Sequence, residues 1–276
     1  MLTSEGGIVL VNRIAYISPG GELFTVDPTG TNLVQLTGNI KDQVDIPGLD
    51  LRNGTQFQPL QLNEYHTWPT WSADGMKLAA SKVKLNGDNA DVSIQILDAF
   101  TGRSETIYEN GLAGLVAEGA PHYIYWAPIG NQLSFLASTS DGLSLFVKDE
   151  QLSNQVNVIN RGAPLYYQWS SNAQSMAIHL GLDIIWANAP GPNGTTESFR
   201  SAGNFRTPAI SPDGQDLAYV DEDDSGSALF ISPVSDLNQS TKFINLGYNS
   251  AVMWSPDGKQ LAIAKQSNPG THYTIS

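Results

Sequence analysis

The chain has 276 residues, and its 14 lysines and arginines against 27 aspartates and glutamates give a formal net charge of −13 at pH 7. A negative field of this size repels phosphate backbones and anionic lipid surfaces, so we expect no nucleic-acid partner. The sequence contains no cysteine, which excludes disulfides, thiolate nucleophiles and cysteine-bound zinc.

The N-terminal part predicts strands rather than a membrane segment. Its first apolar run, at 7–11, is too short to cross a bilayer, and residues 1–7 lack the features of a secretory signal. From Arg13, the stretch RIAYISPGGELFTVDPTGTNLVQLTG predicts the middle strands of a repeat unit, a turn at 27–30 and an outer strand at 33–36. Residues 40–65 are polar and contain several prolines and glycines, which predicts an insertion between two units.

Further along the chain, one short hairpin pattern occurs five times. The copies are WSADGMKLAAS from Trp71, WAPIGNQLSFLA from Trp126, WSSNAQSMAIHL from Trp169, ISPDGQDLAYV from Ile210 and WSPDGKQLAIAK from Trp254. The steps between them are 55, 43, 41 and 44 residues. A period near 43 is typical of a four-stranded propeller blade.

Each copy carries the chemistry of a tight turn followed by a buried strand. In 255–258, proline presets φ, aspartate can bond its own backbone, and glycine accepts a positive φ. The residues after the turn are apolar on both faces, as in a strand between two other layers. With the N-terminal unit, the pattern predicts an all-β, six-bladed β-propeller of four-stranded antiparallel blades around a central channel, forming one domain over 1–276. The strand at 7–11 would complete the last blade.

Residues just before each hairpin are candidates for a binding site. Three residues ahead of the aligned position stand Trp68, Tyr123 and Tyr166, and one step earlier stand His122 and Arg206. Aromatic rings at a channel mouth would bind a peptide or another extended partner, and Arg206 would hold a carboxylate. The alternative is that these rings pack between adjacent blades.

No catalytic signature occurs in the sequence: a Gly-x-Ser-x-Gly elbow, a phosphate-binding loop and a His-Glu-x-x-His motif are all missing. We therefore expect no cofactor. A metal site remains as an alternative, because Glu64 and His66, and Glu118 and His122, put a carboxylate near an imidazole ahead of neighbouring units. All four could equally be ordinary loop residues.

The unit WSPDGKQLAIA, with SPDG again at 211–214 and SADG at 72–75, resembles the repeat of the TolB-like six-bladed β-propellers, which also occurs in the propeller domains of prolyl oligopeptidases. The resemblance covers about 13–276 and is weaker at Trp126 and Trp169, where the turn aspartate is missing. It implies binding of a protein or peptide by a non-enzymatic, monomeric protein, outside the cytoplasm in bacteria. The competing function is a metal-assisted lyase or hydrolase acting on carbohydrate.

Overall fold

The computed structural model describes residues 12–38, 64–86, 89–113, 122–139, 142–149, 156–191, 193–201, 207–224, 226–246, 249–266 and 273–275. These residues form 22 β-strands and no helix. The strands make six antiparallel sheets, four with four strands and two with three. The prediction of an all-β chain built from four-stranded antiparallel sheets is confirmed for those four sheets.

The chain divides into two compact units, Met1–Trp126 with Ala137–Ser140, and Ala127–Leu136 with Asp141–Ser276. The first unit holds the first sheet, of order β1-β2-β3, the second sheet, of order β4-β5-β6-β7, and strand β8. These strands are β1 (Ile14–Ile17), β2 (Leu23–Val26), β3 (Val34–Gln35), β4 (Glu64–Trp71), β5 (Lys77–Asn86), β6 (Asn89–Asp98), β7 (Ser104–Ala113) and β8 (His122–Trp126).

The second unit holds most of the third sheet, of order β11-β10-β9-β8, and the last three sheets, of orders β12-β13-β14-β15, β16-β17-β18-β19 and β20-β21-β22. The third-sheet strands are β9 (Gln132–Thr139), β10 (Gly142–Asp149) and β11 (Val156–Arg161). The others are β12 (Leu165–Trp169), β13 (Ser175–Leu180), β14 (Asp183–Asn188), β15 (Thr195–Ser201), β16 (Ala209–Ile210), β17 (Asp216–Asp223), β18 (Gly226–Pro233), β19 (Thr241–Asn245), β20 (Asn249–Trp254), β21 (Leu261–Gln266) and β22 (Tyr273–Ile275).

The predicted hairpins are confirmed, since each repeat tryptophan or isoleucine is the last residue of a strand that a short turn connects to the next. The N-terminal unit has the three predicted strands and the 27–30 turn, closed by a bond from the Gly30 amide to the Asp27 carbonyl of 2.8 Å. One boundary was wrong: β4 begins at Glu64, so the last two residues of the predicted 40–65 insertion belong to a strand. The rest of the insertion and the strand predicted at 7–11 lie outside the described residues. The single domain over 1–276 stays a prediction.

In four of the five turns a serine hydroxyl holds the turn together, and the copy after Trp126 has Ala127 instead. The Ser211 hydroxyl donates to Asp213 at 2.6 Å, and Asp213 also accepts the Gln215 amide at 3.0 Å. The Asp216 amide donates back to the same hydroxyl at 2.9 Å, which starts the next strand. Because these bonds favour the ionised carboxylate, the Ser211 hydroxyl first and then the Gln215 amide lower the pKa of Asp213.

The turn after Trp169 has the same bonds although it lacks the aspartate. Asn172 accepts the Ser170 hydroxyl at 2.8 Å and the Gln174 amide at 2.9 Å through its side-chain oxygen. An amide oxygen therefore replaces the carboxylate without changing the geometry. The sequence pattern treats this copy as degraded, whereas its turn is intact.

Apolar side chains from consecutive sheets form the core within each unit. In the first unit, Leu23 and Leu36 pack against Leu78, Ala80 and Leu97 of the second sheet. In the second unit, one cluster joins the fourth and fifth sheets around Trp186 and Tyr219, and another joins the fifth and sixth around Leu229 and Ile263. The apolar strands β5, β9, β13 and β17 are thus covered on both faces, as predicted, whereas β21 is not, since Ala262 is exposed.

Candidate functional site

Trp68 and Tyr123 lie side by side in the first unit. Their ring centroids are 5.1 Å apart with an interplanar angle of 64°, an edge-to-face contact. The Trp68 side chain remains 38% exposed, and Tyr123 is half-buried. Two equivalent positions of neighbouring repeat units therefore present one exposed aromatic surface.

Both residues have a left-handed backbone, with φ of 58° at Trp68 and 51° at Tyr123. At Trp68 the cause is a break in pairing, because Thr67 pairs with Ser81 while Thr70 pairs with Ala79, so two residues of β4 oppose one of β5. A side chain in this region costs about 1–2 kcal/mol relative to ordinary backbone. Such strain is concentrated at functional sites, where the surrounding structure maintains it.

The side chains of the remaining predicted residues lie in the second unit or outside the described residues. Tyr166 belongs to the second unit, where it pairs regularly with His179 in β12 and β13 and has no bulge. His122 opens β8, but its side chain is outside the description, and Arg206 and Glu118 are outside it altogether. The channel-mouth site of five residues stays a prediction.

His66 is a buried structural residue in the described part of the chain. It is 5% exposed, with Nδ1 3.2 Å from the Gly21 carbonyl and Nε2 3.3 Å from Gln95 Oε1. Glu64 forms an ion pair of 2.7 Å with Lys82. Both side chains thus have protein partners, and the described residues contain no group of three or more His, Asp or Glu side chains that could hold a metal ion. Glu118 and the His122 side chain lie outside the described residues, and the metal alternative stays a prediction.

Two tyrosines near these positions stay protonated at neutral pH. Burial raises the pKa of Tyr65, beside His66, and that of Tyr125, beside Trp126, because it disfavours the phenolate. Both phenol groups are therefore neutral at neutral pH.

No family model matches the chain, and no curated protein matches it. Several solved structures are similar to this chain. TolB from Acinetobacter baumannii is 18% identical with a TM-score of 0.51, covering 97% of this chain and 61% of that protein. An oligogalacturonate lyase in complex with manganese is 11% identical with a TM-score of 0.61, covering 96% and 73%. The β-propeller domain of the Trilobed protease from Pyrococcus furiosus is 12% identical with a TM-score of 0.50, covering 77% and 68%.

The chain has a TolB-like β-propeller fold. At these identities the likeness shows the fold alone, and the chain spans about three fifths of the length of the Acinetobacter protein. The described part of the TolB-like propeller contains no helix with the length and apolar character of a membrane span.

Proposed function

We propose that the chain is a non-enzymatic six-bladed β-propeller that binds a protein or an extended peptide at the mouth of its channel. The binding surface consists of Trp68, Tyr123 and Tyr166, with His122 beside them and Arg206 holding a carboxylate of the partner. The protein acts as a monomer outside the cytoplasm, as its resemblance to the TolB-like propellers implies. It needs no cofactor for this role.

The observation that carries the proposal is the strained, exposed pair of Trp68 and Tyr123. Packing alone does not require left-handed backbone at two equivalent positions, since Tyr166 reaches its strand with regular pairing. The two rings offer flat apolar area with polar edges, and aromatic side chains of this kind dominate the binding energy of most interfaces.

The test is peptide selection followed by a variant that removes one ring without adding strain. Random peptides displayed on phage are selected on the wild-type protein, and the affinity of the enriched sequences is measured by calorimetry. In Trp68→Gly the glycine accepts the positive φ at no cost, so the fold should survive. We expect affinity to fall about 30-fold, the loss of one interface hot spot.

Phe100→Ala is the matched control, because Phe100 is an exposed aromatic residue in the turn after β6. It should bind the selected peptides like the wild type. Failure to enrich any peptide, or equal affinity of Trp68→Gly and wild type, would reject the site.

A second candidate is a metal-assisted enzyme acting on carbohydrate, through Glu64, His66, Glu118 and His122. The observation favouring it is the likeness to an oligogalacturonate lyase in complex with manganese. This candidate predicts that elemental analysis finds one divalent ion per chain and that His66→Gln loses this ion. It also predicts that the protein converts oligogalacturonate to unsaturated products, which are detected by ultraviolet absorbance. If the purified protein contains no metal and shows no turnover, the enzyme candidate is excluded and the binding function remains.

A further inference from the structure

One face of the second sheet changes from apolar to polar along its strands. Alternate residues of β5 on this face are Leu78, Ala80, Lys82 and Lys84, and their partners on β6 are Leu97, Gln95, Ser93 and Asp91. The apolar end packs against the first sheet. Strands β5 to β7 have ten residues each, whereas β1 and β2 have four, so the first sheet covers only part of this face.

The polar end of the face carries a half-open cavity of about 330 Å³, lined by residues of β5, β6 and β7, with Lys84 and Glu109 exposed to solvent. The pairing of β6 with β7 shifts register twice, between Ala90 and Val92 and between Ile94 and Gln95. Bulges of this kind bend a strand and increase its local twist, which accounts for a concave surface here. A volume of this size is at the lower end for small-ligand sites.

Some polar groups in the cavity already have partners. Lys82 forms its ion pair with Glu64, and Gln95 contacts His66 Nε2 and donates to Thr106 Oγ1 at 3.5 Å. Three others, Lys84, Ser93 and Glu109, have no side-chain hydrogen bond or ion pair in the described part of the chain. The cavity therefore contains an ammonium, a hydroxyl and a carboxylate with bonding capacity to spare.

The spacing of these three groups selects the chemistry of a ligand. Ser93 pairs with both Lys82 and Glu109, while Lys84 pairs with Asp91. The Cα atoms of Lys84 and Glu109 therefore lie on opposite sides of β6, about 12 Å apart, two strand spacings across and two residues along. A simple anion that reached Lys84 would face the carboxylates of Asp91 and Glu109. A neutral sugar would find no aromatic ring, because none lines the cavity.

We propose that this cavity binds a short peptide with free termini, such as a dipeptide, with its carboxylate on Lys84 and Ser93 and its ammonium on Glu109. Each end of such a zwitterion meets a group of opposite charge, and both bonds are charge-assisted. This site shares no residue with the aromatic surface of the proposed function and does not depend on it.

The test is calorimetric titration of the whole protein with dialanine, N-acetyl-dialanine and dialanine amide. We expect dialanine to bind about tenfold more tightly than either blocked form, the value of one charge-assisted hydrogen bond. Lys84→Met should bind dialanine and its amide equally, and Glu109→Gln should bind dialanine and its N-acetyl form equally. Lys84→Met thus loses discrimination at the carboxylate of dialanine, and Glu109→Gln loses discrimination at its ammonium.

Two controls match the changes in charge. Glu105→Gln, on the same strand as Glu109 but outside the cavity, and Lys259→Met, in an exposed turn, should bind dialanine like the wild type. Trp68→Gly should also bind normally, which separates this site from the aromatic surface. The proposal fails if the wild type shows no saturable binding of dialanine, if the blocked forms bind equally well, or if Lys84→Met and Glu109→Gln keep the wild-type preference.

Discussion

At the scale of single residues, the serine and aspartate of the repeat turn act together. The same bonds recur at 255–260, where the Ser255 hydroxyl donates to Asp257 at 2.6 Å and the Lys259 amide donates to the same oxygen at 3.1 Å. The Ser255 hydroxyl and then the Lys259 amide lower the pKa of Asp257 below its ordinary value of 3.8. The ionised form is therefore preferred in the folded state.

This preference predicts how stability responds to acid. A lowered folded-state pKa gives stability that is present above the unfolded pKa and is lost as the pH falls through the folded pKa. We expect Asp213→Asn with Asp257→Asn to change the melting temperature at neutral pH by no more than a few degrees, because Asn172 keeps the same bonds. In acid below the ordinary aspartate pKa, this variant should lose less stability than the wild type.

Thermal melts across the acid range check this prediction. Asn172→Asp is the control in the opposite direction, since it adds a turn carboxylate and should steepen the loss of stability in acid. Superimposable melting curves for all three proteins would show that the turn carboxylates do not couple folding to pH.

The sequence predicted the turns but not the strained aromatic pair. Ser-x-Asp-Gly chemistry is local, so the turns at 72–75 and 211–214 follow from adjacent residues. The left-handed φ of Trp68 depends on a bulge opposite another strand, which no local pattern encodes. His66 looked like a loop ligand, yet distant groups, the Gly21 carbonyl and Gln95, make it a buried residue.

At the scale of elements, the repeat tryptophans connect consecutive sheets. The Trp126 indole donates to the Thr70 carbonyl at 3.2 Å, that of Trp169 donates to the Ser134 hydroxyl at 2.7 Å, and that of Trp254 donates to the Ala209 carbonyl at 2.9 Å. At Ile210, which has no indole, the backbone amide donates to Gln168 of the preceding sheet at 2.6 Å. The repeat residue thus has two roles: it ends a strand, and it forms a hydrogen bond to the preceding sheet.

We predict that Trp169→Phe destabilises the protein by about 1–3 kcal/mol, because it removes the buried hydrogen bond from the indole to the Ser134 hydroxyl. A double-mutant cycle with Ser134→Ala, measured by urea denaturation, should give a coupling energy of about 1 kcal/mol. The pair Ser134→Ala and Trp254→Phe has no shared contact and should be additive. Additivity of the first pair would mean that the indole acts only through packing.

Strand boundaries were less predictable than strand identity. The outer strand at 104–113 has ten residues, the same length as its neighbours. Its length reflects pairing with β6 across two register shifts, which depends on tertiary contacts. The polar end of the second sheet was missed for the same reason. Its one sequence signal is a polar residue at alternate positions, Lys82 and Lys84 near the end of β5 and Asp91 and Ser93 near the start of β6.

At the scale of the whole molecule, one face of the last sheet carries exposed apolar side chains, which the proposed closure of six blades would cover. Met253 is 71% exposed and Ile275 is 80% exposed, while the opposite face, with Val252 and Trp254, packs on the fifth sheet. Met253 and Ile275 lie on the same face as Ala262 and Ala264, and a contiguous apolar patch of this kind marks a surface that another element covers. We expect closure of the ring to provide that cover.

The central claim, that the six sheets form one closed propeller, is tested most directly by distances between spin labels. The chain has no cysteine, so pairs can be introduced without background labelling. Thr29→Cys in the first sheet is combined with Lys259→Cys in the last sheet or with Ser171→Cys in the fourth, all in exposed turns. Double electron–electron resonance should give a narrow Thr29–Lys259 distance that is shorter than the Thr29–Ser171 distance, because the first and last blades of a closed ring are neighbours. A longer or broad Thr29–Lys259 distribution would contradict the closed propeller.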